Sequence, residues 1–185
     1  SIEKNIKNLA DAKNVTPADI VVCILDRPRH KDIISGVRES GARIMLISDG
    51  DVSGVIATAQ PDAGVDLYLG SGGAPEGVLA AAALRCIGGQ MQGRLMFRND
   101  DEIARARRWG IEDLEKKYCL SELAKGDVMF AATGVTGGTM LKGVKRFPGG
   151  ADTHSIIMRS STGTVRTIEA HHDWRRKPIS SDLKV

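Results

Sequence analysis

The fold is decided by residues 65–77, Val65-Asp66-Leu67-Tyr68-Leu69-Gly70-Ser71-Gly72-Gly73-Ala74-Pro75-Glu76-Gly77. The apolar run 65–69 is typical of a strand, and a helix-like run, Val78–Cys86, follows the glycine-rich turn. A turn of this kind presents backbone N–H groups at a helix N-terminus, where an anion can bind. The segment therefore predicts one strand–turn–helix unit of an α/β protein.

Two further apolar runs lie upstream, and each is followed by a helical pattern. Ile20–Leu25 and Arg43–Ile47 have the continuous apolar character of strands that are buried on both faces. Helices are predicted over Ile2–Lys13, His30–Ser40, Asp51–Gln60 and Ala74–Cys86. Because strands and helices alternate with short connections, the pattern indicates right-handed βαβ units and a parallel sheet.

The second half of the chain is more polar. A helix is predicted at Asp100–Trp109, and a fourth buried strand at Asp127–Ala132. The alternating runs His154–Arg159 and Thr164–Ala170 predict an antiparallel hairpin added to the sheet. We therefore expect an α/β fold with a mostly parallel, layered sheet flanked by helices, and one domain over residues 1–185.

Composition limits the classes of function. The 185 residues are 42% hydrophobic and 26% charged, and the formal net charge is +3. The weak charge and the low aromatic content of 4% argue against a nucleic-acid platform, and no apolar stretch approaches the length of a membrane span. The unclustered Cys23, Cys86 and Cys119 favour reduced thiols of a cytoplasmic protein over disulfides or a zinc site.

The polar and glycine-rich clusters of the chain follow the predicted strands. In an open parallel sheet, every strand-to-helix turn lies at the carboxyl edge, where ligands bind. The four turns are Asp26–His30, Asp49–Asp51, Gly70–Gly77 and Thr133–Gly138. Any one of them could be an ordinary surface turn, but their coincidence predicts a ligand site at that edge.

The side chains of the first two turns are chemically complementary. Arg27 and Arg29 can each direct paired N–H donors at phosphate oxygens, and Pro28 fixes the chain between them. Asp49 and Asp51 can accept hydrogen bonds from sugar hydroxyls or ligate a cation. Together these groups suit a phosphorylated sugar. The alternative is two solvated arginines and an ordinary turn in which Asp51 is a helix N-cap.

Glu76 makes the glycine-rich turn unusual. Its carboxylate would repel a phosphate held in the same turn unless a divalent cation lay between them, which indicates a metal-plus-phosphate site. The alternative is a tight turn with Pro75 at the first helical position and Glu76 as a first-turn acid. Pro75 stands where a dinucleotide fingerprint has its third glycine, so a nicotinamide site is not favoured.

Other polar residues are weaker candidates. His30 is assigned to the start of a helix, and Ser71 has no base near it in the sequence, so a nucleophilic serine is not expected. His171 and His172 form either a metal or interface patch or the solvated end of the fold. The cluster Arg105–Arg108 is a solvated helix face or a contact to another subunit.

Four motifs together resemble one family. D-R-P-R-H at 26–30, D-G-D at 49–51, G-S-G-G-A-P-E-G at 70–77 and A-A-T-G-V-T-G-G at 131–138 are similar to those of class II fructose-1,6-bisphosphatase, the GlpX family. The similarity runs essentially from end to end of this chain. It implies a lithium-sensitive, metal-dependent phosphatase with α/β layers, which converts fructose 1,6-bisphosphate to fructose 6-phosphate in gluconeogenesis. The implied cofactor is Mn²⁺ or Mg²⁺, and the implied partner is a sugar bisphosphate.

The resemblance also implies roles for individual residues. Substrate would be bound by Arg27-Pro28-Arg29, Asp49-Gly50-Asp51 and Gly73, and Glu76 would be a metal ligand. The family often has Lys where this chain has Arg27, which keeps the positive charge and presents its N–H donors as a planar fork.

One departure from the family is an absence. The family's first half carries most of the metal-binding carboxylates and a catalytic Thr, and none of those motifs occurs here. We therefore expect this chain to be the substrate-binding C-terminal half of a longer enzyme, without a catalytic residue of its own and inactive alone. A start at Ser1 without an initiator Met agrees with that expectation.

Several alternatives remain open from the sequence. The enzyme could act on both fructose 1,6-bisphosphate and sedoheptulose 1,7-bisphosphate in the Calvin cycle, as cyanobacterial relatives do. The chain could instead be a non-enzymatic sugar-phosphate or nucleotide sensor, or an assembly domain whose clusters are only turns. For the enzyme we expect a cytoplasmic homo-oligomer that binds neither nucleic acid nor membrane.

Overall fold

Residues 1–177 are described by a computed structural model, in which helices and sheets alternate in layers. The helices are α1 (Ile2–Lys13), α2 (Lys31–Glu39), α3 (Asp51–Ala57), α4 (Ala74–Ile87), α5 (Asp100–Arg108) and α6 (Leu120–Leu123). The strands are β1 (Val21–Leu25), β2 (Arg43–Ile47), β3 (Leu67–Tyr68), β4 (Gln92–Gly93), β5 (Tyr118–Cys119), β6 (Met129–Thr133), β7 (Lys145–Phe147), β8 (Gly150–Arg159) and β9 (Thr164–Asp173). None of the helices in residues 1–177 is long and apolar enough to cross a membrane.

The first half of the chain forms the predicted parallel sheet, with the strand order β2-β1-β3. β1 pairs in parallel with both neighbours, through Cys23 opposite Met45 on one side and Tyr68 on the other. The central strand is buried, as predicted. The prediction that β2 is also buried on both faces is wrong, because β2 is an edge strand whose Met45 and Leu46 are 39% and 45% exposed.

One face of the parallel sheet is covered by α1 and α2. The core there is apolar and fully buried, and it comprises Ile6, Ala10, Ile20, Val22, Ile24, Val37 and Ala42. α1 begins where the Ser1 hydroxyl accepts a hydrogen bond from the N–H of Lys4 and ends at Asn14, which takes the left-handed conformation with φ 55°. The bounds of α1 match the predicted ones.

The opposite face of the sheet is covered by α3, which approaches closely at a glycine. A Cβ atom on Gly54 would lie 3.0 Å from Cδ1 of Ile47 and 3.2 Å from Sγ of Cys23, so a larger residue would push the helix away. α4 packs on the far side of α3 and contacts a second sheet. Ile56 of α3 and Ala83 of α4 share one buried cluster with Met158 of β8.

The second sheet is antiparallel and has four strands. β8 pairs along its whole length with β9 on one edge, and on its other edge it pairs with β7 near its start and with β6 near its end. The predicted hairpin is confirmed as β8–β9, and it is longer than predicted. Its placement was wrong, because it joins β6 and β7 and not the parallel sheet.

The fourth predicted strand is therefore real but differently paired. β6 runs antiparallel to β8, with Phe130 opposite Met158, and has no partner in the parallel sheet. Phe130 is buried against α4 whereas Met129 is 65% exposed, which is the alternation of a half-open antiparallel strand. The α/β class, with a parallel sheet flanked by helices and an antiparallel addition, is confirmed.

Candidate active site at the edge of the parallel sheet

Three of the four predicted turns lie together at the carboxyl edge of the parallel sheet. Hydrogen bonds continue past the ends of the strands, from the N–H of Asp26 to the carbonyl of Ile47 at 2.8 Å, and from the N–H of Leu69 to the carbonyl of Cys23 at 3.2 Å. These bonds hold the three segments that follow, 26–30, 48–51 and 70–77, side by side. The parallel pairing thus brings together residues that are far apart in sequence.

The first of these segments carries the two arginines. Arg27 is extended, and Pro28 opens a short 3-10 turn, Pro28–His30, that leads into α2. One guanidinium nitrogen of Arg27 donates to the carbonyl of Asp26 at 2.8 Å. Nε of Arg29 donates to the carbonyl of Ser71 at 2.9 Å, which ties the arginine turn directly to the glycine-rich turn. The terminal nitrogens of Arg29 make no hydrogen bond or ion pair within residues 1–177, so they are available to a ligand.

His30 lies at the centre of this junction. It ends the 3-10 turn before α2, close to its expected place, but its imidazole is fully buried. Nδ1 lies 2.7 Å from the carbonyl oxygen of Leu25, and Nε2 lies 3.0 Å from the backbone nitrogen of Ser71. No sequence signal links positions 30 and 71, because their contact depends on the pairing of β1 with β3.

Ser71 does have a base beside it in space, although none is near it in sequence. Nε2 of His30 is 3.3 Å from the Ser71 hydroxyl, but it is closer, at 3.0 Å, to the backbone nitrogen of the same residue. The other ring nitrogen faces a carbonyl oxygen and not the carboxylate that orients the base in a catalytic triad. The arrangement anchors a backbone segment and does not activate a nucleophile.

The second segment is shaped by a glycine. Gly50 has φ 75° and is the N-cap of α3, so Asp51 is the first helical residue and not the N-cap. Ser53 donates from its hydroxyl to the carbonyl of Gly50 at 2.6 Å and thereby satisfies the turn. The Asp49 carboxylate makes no hydrogen bond or ion pair within residues 1–177. Oδ1 of Asp51 accepts from the N–H of Val52 at 2.9 Å.

The third segment presents Glu76 toward the backbone of its own turn. Gly73 is the N-cap of α4, and its N–H donates to Oε2 of Glu76 at 2.9 Å. This bond makes Glu76 the first-turn acid of the tight-turn interpretation, but Pro75 is the second helical residue and not the first, because the helix begins at Ala74. The same bond engages the Gly73 N–H, so this amide is not free to bind an anion while Glu76 stays in place.

Two carboxylates from different turns converge on Gly72. A Cβ atom built on Gly72 would lie 3.3 Å from Oε2 of Glu76 and 3.6 Å from Oδ2 of Asp51. The absence of a side chain at this position is therefore what lets both acids approach the same stretch of backbone. An acid pair of this kind suits a hard divalent cation. Within residues 1–177, however, no three His, Cys, Asp or Glu side chains are grouped so as to hold a metal ion.

Tyr68 is a residue of this site that sequence reasoning missed. It ends β3, and its ring packs against Gly54 and Gly70, with the phenol oxygen 3.3 Å from a Cβ built on Gly70. Burial, followed by the negative charge of Asp51, raises the pKa of the Tyr68 phenol to about 12. A tyrosine at the end of a strand is ordinarily a packing residue, so its position beside two acids became visible only in the fold.

The fourth predicted turn does not belong to this edge. Thr133–Gly138 follows β6 in the antiparallel sheet, where Gly134 donates to the carbonyl of His154 at 3.0 Å. Gly138 donates to the carbonyl of Leu141 at 3.0 Å, so the segment folds back on itself. In the described part of the chain, no hydrogen bond or ion pair joins it to the other three turns. The expectation of four convergent turns was therefore wrong in one of them, because β6 has a different sheet partner.

The two adjacent histidines are engaged within the antiparallel sheet. Nδ1 of His171 pairs with Asp152 at 2.7 Å, and the His171 ring stacks on Phe147 with the centroids 4.8 Å apart. Nε2 of His172 lies 2.9 Å from the Thr153 hydroxyl. The metal alternative for this pair gains no support, because no metal-type cluster is found in residues 1–177.

Comparison with known proteins places the chain in a class of bisphosphatases. The profile of bacterial fructose-1,6-bisphosphatase, glpX-encoded, matches residues 1–172. The chain is 41% identical to D-fructose 1,6-bisphosphatase class 2/sedoheptulose 1,7-bisphosphatase of Crocosphaera subtropica, in an alignment that covers 100% of this chain and 57% of that protein. It is 40% identical to the protein of the same name from Trichodesmium erythraeum, over 93% of this chain and 54% of that protein.

The chain belongs to the glpX-encoded, class II fructose-1,6-bisphosphatase family. It spans little more than half the length of the relatives it matches. The resemblance predicted from the motifs is thereby confirmed. The roles assigned to Arg27, Arg29, Asp49, Asp51, Gly73 and Glu76 stay predictions.

Proposed function

We propose that this chain supplies the sugar-phosphate side of a bisphosphatase that removes the 1-phosphate of fructose 1,6-bisphosphate, releasing fructose 6-phosphate. The observation that carries the proposal is the convergence of three turns with complementary chemistry at one sheet edge, joined by the bond from Arg29 to Ser71. Membership in the bisphosphatase family gives this chemistry its substrate class.

Each of the three turns has its own role in binding the substrate. Arg27 and Arg29 bind phosphate oxygens, for which the terminal nitrogens of Arg29 are well suited because only its Nε is used by the Ser71 carbonyl. Asp49 and Asp51 accept hydrogen bonds from sugar hydroxyls, and the sharp turn at Gly50 separates the two carboxylates. Gly73 lets the backbone approach the ligand closely.

The donor set fits partial ligation of a divalent cation, Mn²⁺ or Mg²⁺. Glu76 would be one ligand through Oε1, since Oε2 is engaged by the N–H of Gly73. When bound, such a cation neutralises charge on phosphate oxygens and activates water for hydrolysis. Because binuclear phosphate hydrolysis needs several carboxylates, we propose that the other ligands and the catalytic groups belong to the part of the relatives that this chain does not match.

A second substrate is favoured by the names of the relatives, which include sedoheptulose 1,7-bisphosphatase. The turns Asp26–His30 and Asp49–Asp51 lie at the open edge of the sheet, with Asp26, Pro28, Arg29, Asp49 and Gly50 exposed. An open edge can accept a sugar with one more carbon. We propose activity on both sugars, with cytoplasmic location and a homo-oligomeric state as further parts of the proposal.

The test is phosphate release from fructose 1,6-bisphosphate with Mn²⁺, with Mg²⁺ and with a chelator. It compares this chain with a version extended to the length of the relatives. We expect metal-dependent release by the extended protein and none by the chain alone. Glu76→Gln should abolish the metal-dependent rate, and Glu112→Gln, an exposed acid outside the site, should leave it unchanged. An extended protein without activity would contradict the phosphatase assignment. Metal-independent binding by the chain would favour a sugar-phosphate sensor.

A further inference from the structure

His30 is the one buried polar or charged residue in residues 1–177, and its side chain is 0% exposed. A buried imidazole is costly unless both ring nitrogens have hydrogen-bond partners. Its partners come from two separate segments, the end of β1 and the glycine-rich turn. The residue therefore links two of the three turns from inside the protein.

The hydrogen-bond partners define the tautomer of the ring. The carbonyl of Leu25 can only accept, so Nδ1, at 2.7 Å, carries the proton. Nε2 lies 3.0 Å from both the backbone nitrogen and the carbonyl oxygen of Ser71. In the neutral ring with its proton on Nδ1, the lone pair of Nε2 accepts the N–H of Ser71. The carbonyl of Ser71 accepts from Nε of Arg29 at 2.9 Å. The backbone of Ser71 is thus held at its N–H by His30 and at its C=O by Arg29.

His30 and Arg29 together form a clamp on residues 70–73, and this segment has the most flexible sequence in the site. Three of the four residues 70–73 are glycines, whose backbone loses more conformational freedom on ordering than that of any other residue. A turn that is ordered before the ligand arrives does not have to be ordered by the ligand, which favours binding. The ring also packs tightly, with Cε1 of His30 3.4 Å from a Cβ built on Gly70.

We propose that His30 is a positioning residue that holds Ser71 and the following glycines in register with Arg29, so that the arginine fork and the Glu76 turn face one ligand. This inference rests on the proposed function for its ligand, a sugar bisphosphate. His30 does not touch that ligand, because it is fully buried. It acts through the backbone of Ser71.

Two substitutions separate the two halves of the clamp. The side-chain amide of His30→Asn can donate to the Leu25 carbonyl from the place of Nδ1, but it is too short to reach Ser71. The side chain of His30→Gln can reach the place of Nε2 and accept from Ser71, but it leaves Leu25 without a donor. If His30 had only a structural role, both variants would lose thermal stability and ligand affinity in the same proportion.

The measurements are amide hydrogen exchange at Ser71, thermal stability, and binding of fructose 1,6-bisphosphate by calorimetry, all on the full chain. In His30→Asn we expect exchange at Ser71 to accelerate and affinity to fall, each about 3- to 10-fold, the equivalent of one hydrogen bond. His30→Gln should keep the protection of Ser71 and most of the affinity despite a lower melting temperature. His154→Asn, at a histidine of β8, is the matched control. It should change neither the exchange at Ser71 nor the affinity for the bisphosphate.

Unchanged exchange at Ser71 in a folded His30→Asn variant would overturn the proposal. If the variants do not fold, the proposal is tested on the wild-type protein, because nitrogen NMR shows which ring nitrogen of His30 carries the proton. An unprotonated Nε2 supports the clamp at the N–H of Ser71, whereas a protonated Nε2 would donate to the Ser71 carbonyl instead and overturns it. Failure of the wild-type chain to bind the bisphosphate would count against the proposed function, whereas the exchange and tautomer results would still decide whether His30 holds the turn.

Discussion

Oε2 of Glu76 accepts a hydrogen bond from the backbone N–H of Gly73, three residues earlier, at 2.9 Å. One carboxylate thus caps α4 and is also the proposed metal ligand. The two roles use different properties of the side chain. Capping needs only an oxygen acceptor, which an amide also supplies, whereas binding a divalent cation favours the negative charge.

We predict that Glu76→Gln leaves the free energy of unfolding nearly unchanged, while Glu76→Ala lowers it by about 0.5–1.5 kcal/mol, the net value of one hydrogen bond. Urea denaturation of this chain measures both. Glu112→Gln and Glu112→Ala form the control pair at an exposed acid without a capping role, and both should be neutral. Equal losses for the two substitutions at position 76 would show that the capping bond does not contribute to stability.

The backbone conformations of Gly50 and Gly77 predict that replacing each glycine with Ala changes the free energy of unfolding in opposite directions. Gly50 has φ 75°, and a Cβ there would lie 2.9 Å from the Ser53 hydroxyl oxygen. Gly50→Ala should therefore destabilise the chain by about 1–2 kcal/mol, the cost of the left-handed region for a non-glycine residue. Gly77 lies inside α4 with nothing within 4 Å of its Cβ position. Gly77→Ala should stabilise the chain by about 0.4–1 kcal/mol.

Thermal and urea unfolding of both glycine variants check this prediction. Gly41, which has φ 79° and also nothing within 4 Å, separates backbone strain from the clash with Ser53. Gly41→Ala should be destabilising, but less so than Gly50→Ala. A neutral Gly50→Ala would mean that the turn between Asp49 and Asp51 relaxes without cost.

The local elements of the first half followed from the sequence because their signals are local. The apolar run of β1, the spacing of Ile6 and Ala10 in α1, and the glycine-rich entry to α4 are each contained within one segment. Parallel βαβ units leave little freedom in how such segments are paired, because consecutive units wind in one hand. Three turns could therefore be placed at one edge before the fold was known.

The errors arose where pairing depends on distant residues. The run Asp127–Ala132 is apolar enough for either sheet, and only its contacts with α4 and β8 through Phe130 assign it to the antiparallel one. The same limit applies to the junction of His30 with Ser71, which are 41 positions apart. A buried histidine and an exposed one have the same sequence signature until the strands around them are paired.

The ion pair between Asp127 and Arg159 predicts the behaviour of the antiparallel sheet in acid. A hydrogen bond from Arg159 at 2.6 Å, supported by Ser161 and Ser160, lowers the pKa of the Asp127 carboxyl from 3.8 to about 2. A lowered pKa means that the folded state binds the proton less tightly than the unfolded state. The stability from Asp127 is therefore complete above pH 3.8 and is lost as the pH falls through about 2.

Asp127→Asn should remove this contribution, so that the unfolding free energy falls less steeply between pH 3.8 and about 2 than in the wild type. Urea denaturation at a series of acid pH values measures the slope. Asp62→Asn, at an exposed acid in the turn Pro61–Ala63, should leave the slope as it is. An identical slope in Asp127→Asn would indicate that the ion pair does not form in solution.

The titration of Tyr68 predicts which of the two aspartates around Gly50 faces the glycine-rich turn. Burial is the largest cause of the rise in the pKa of Tyr68 to about 12, and the charge of Asp51 is the next, whereas Asp49 is not among the principal causes. Asp51→Asn should therefore lower the pKa of Tyr68, and Asp49→Asn should leave it unchanged. Because the raised pKa favours the protonated phenol in the folded state, its contribution to stability is complete below the ordinary value of 10 and is lost as the pH rises through about 12.

Tyrosinate absorbance during an alkaline titration measures this pKa directly. The chain has two tyrosines, Tyr68 and Tyr118, so Tyr68→Phe identifies the signal of each. Asp51→Asn should also reduce the loss of stability in alkali, because the folded and unfolded pKa values then lie closer together. If Asp49→Asn lowered the pKa of Tyr68 as much as Asp51→Asn, the two carboxylates would be equally close to the phenol. The arrangement in which Asp51, and not Asp49, faces the glycine-rich turn would then not describe the protein in solution.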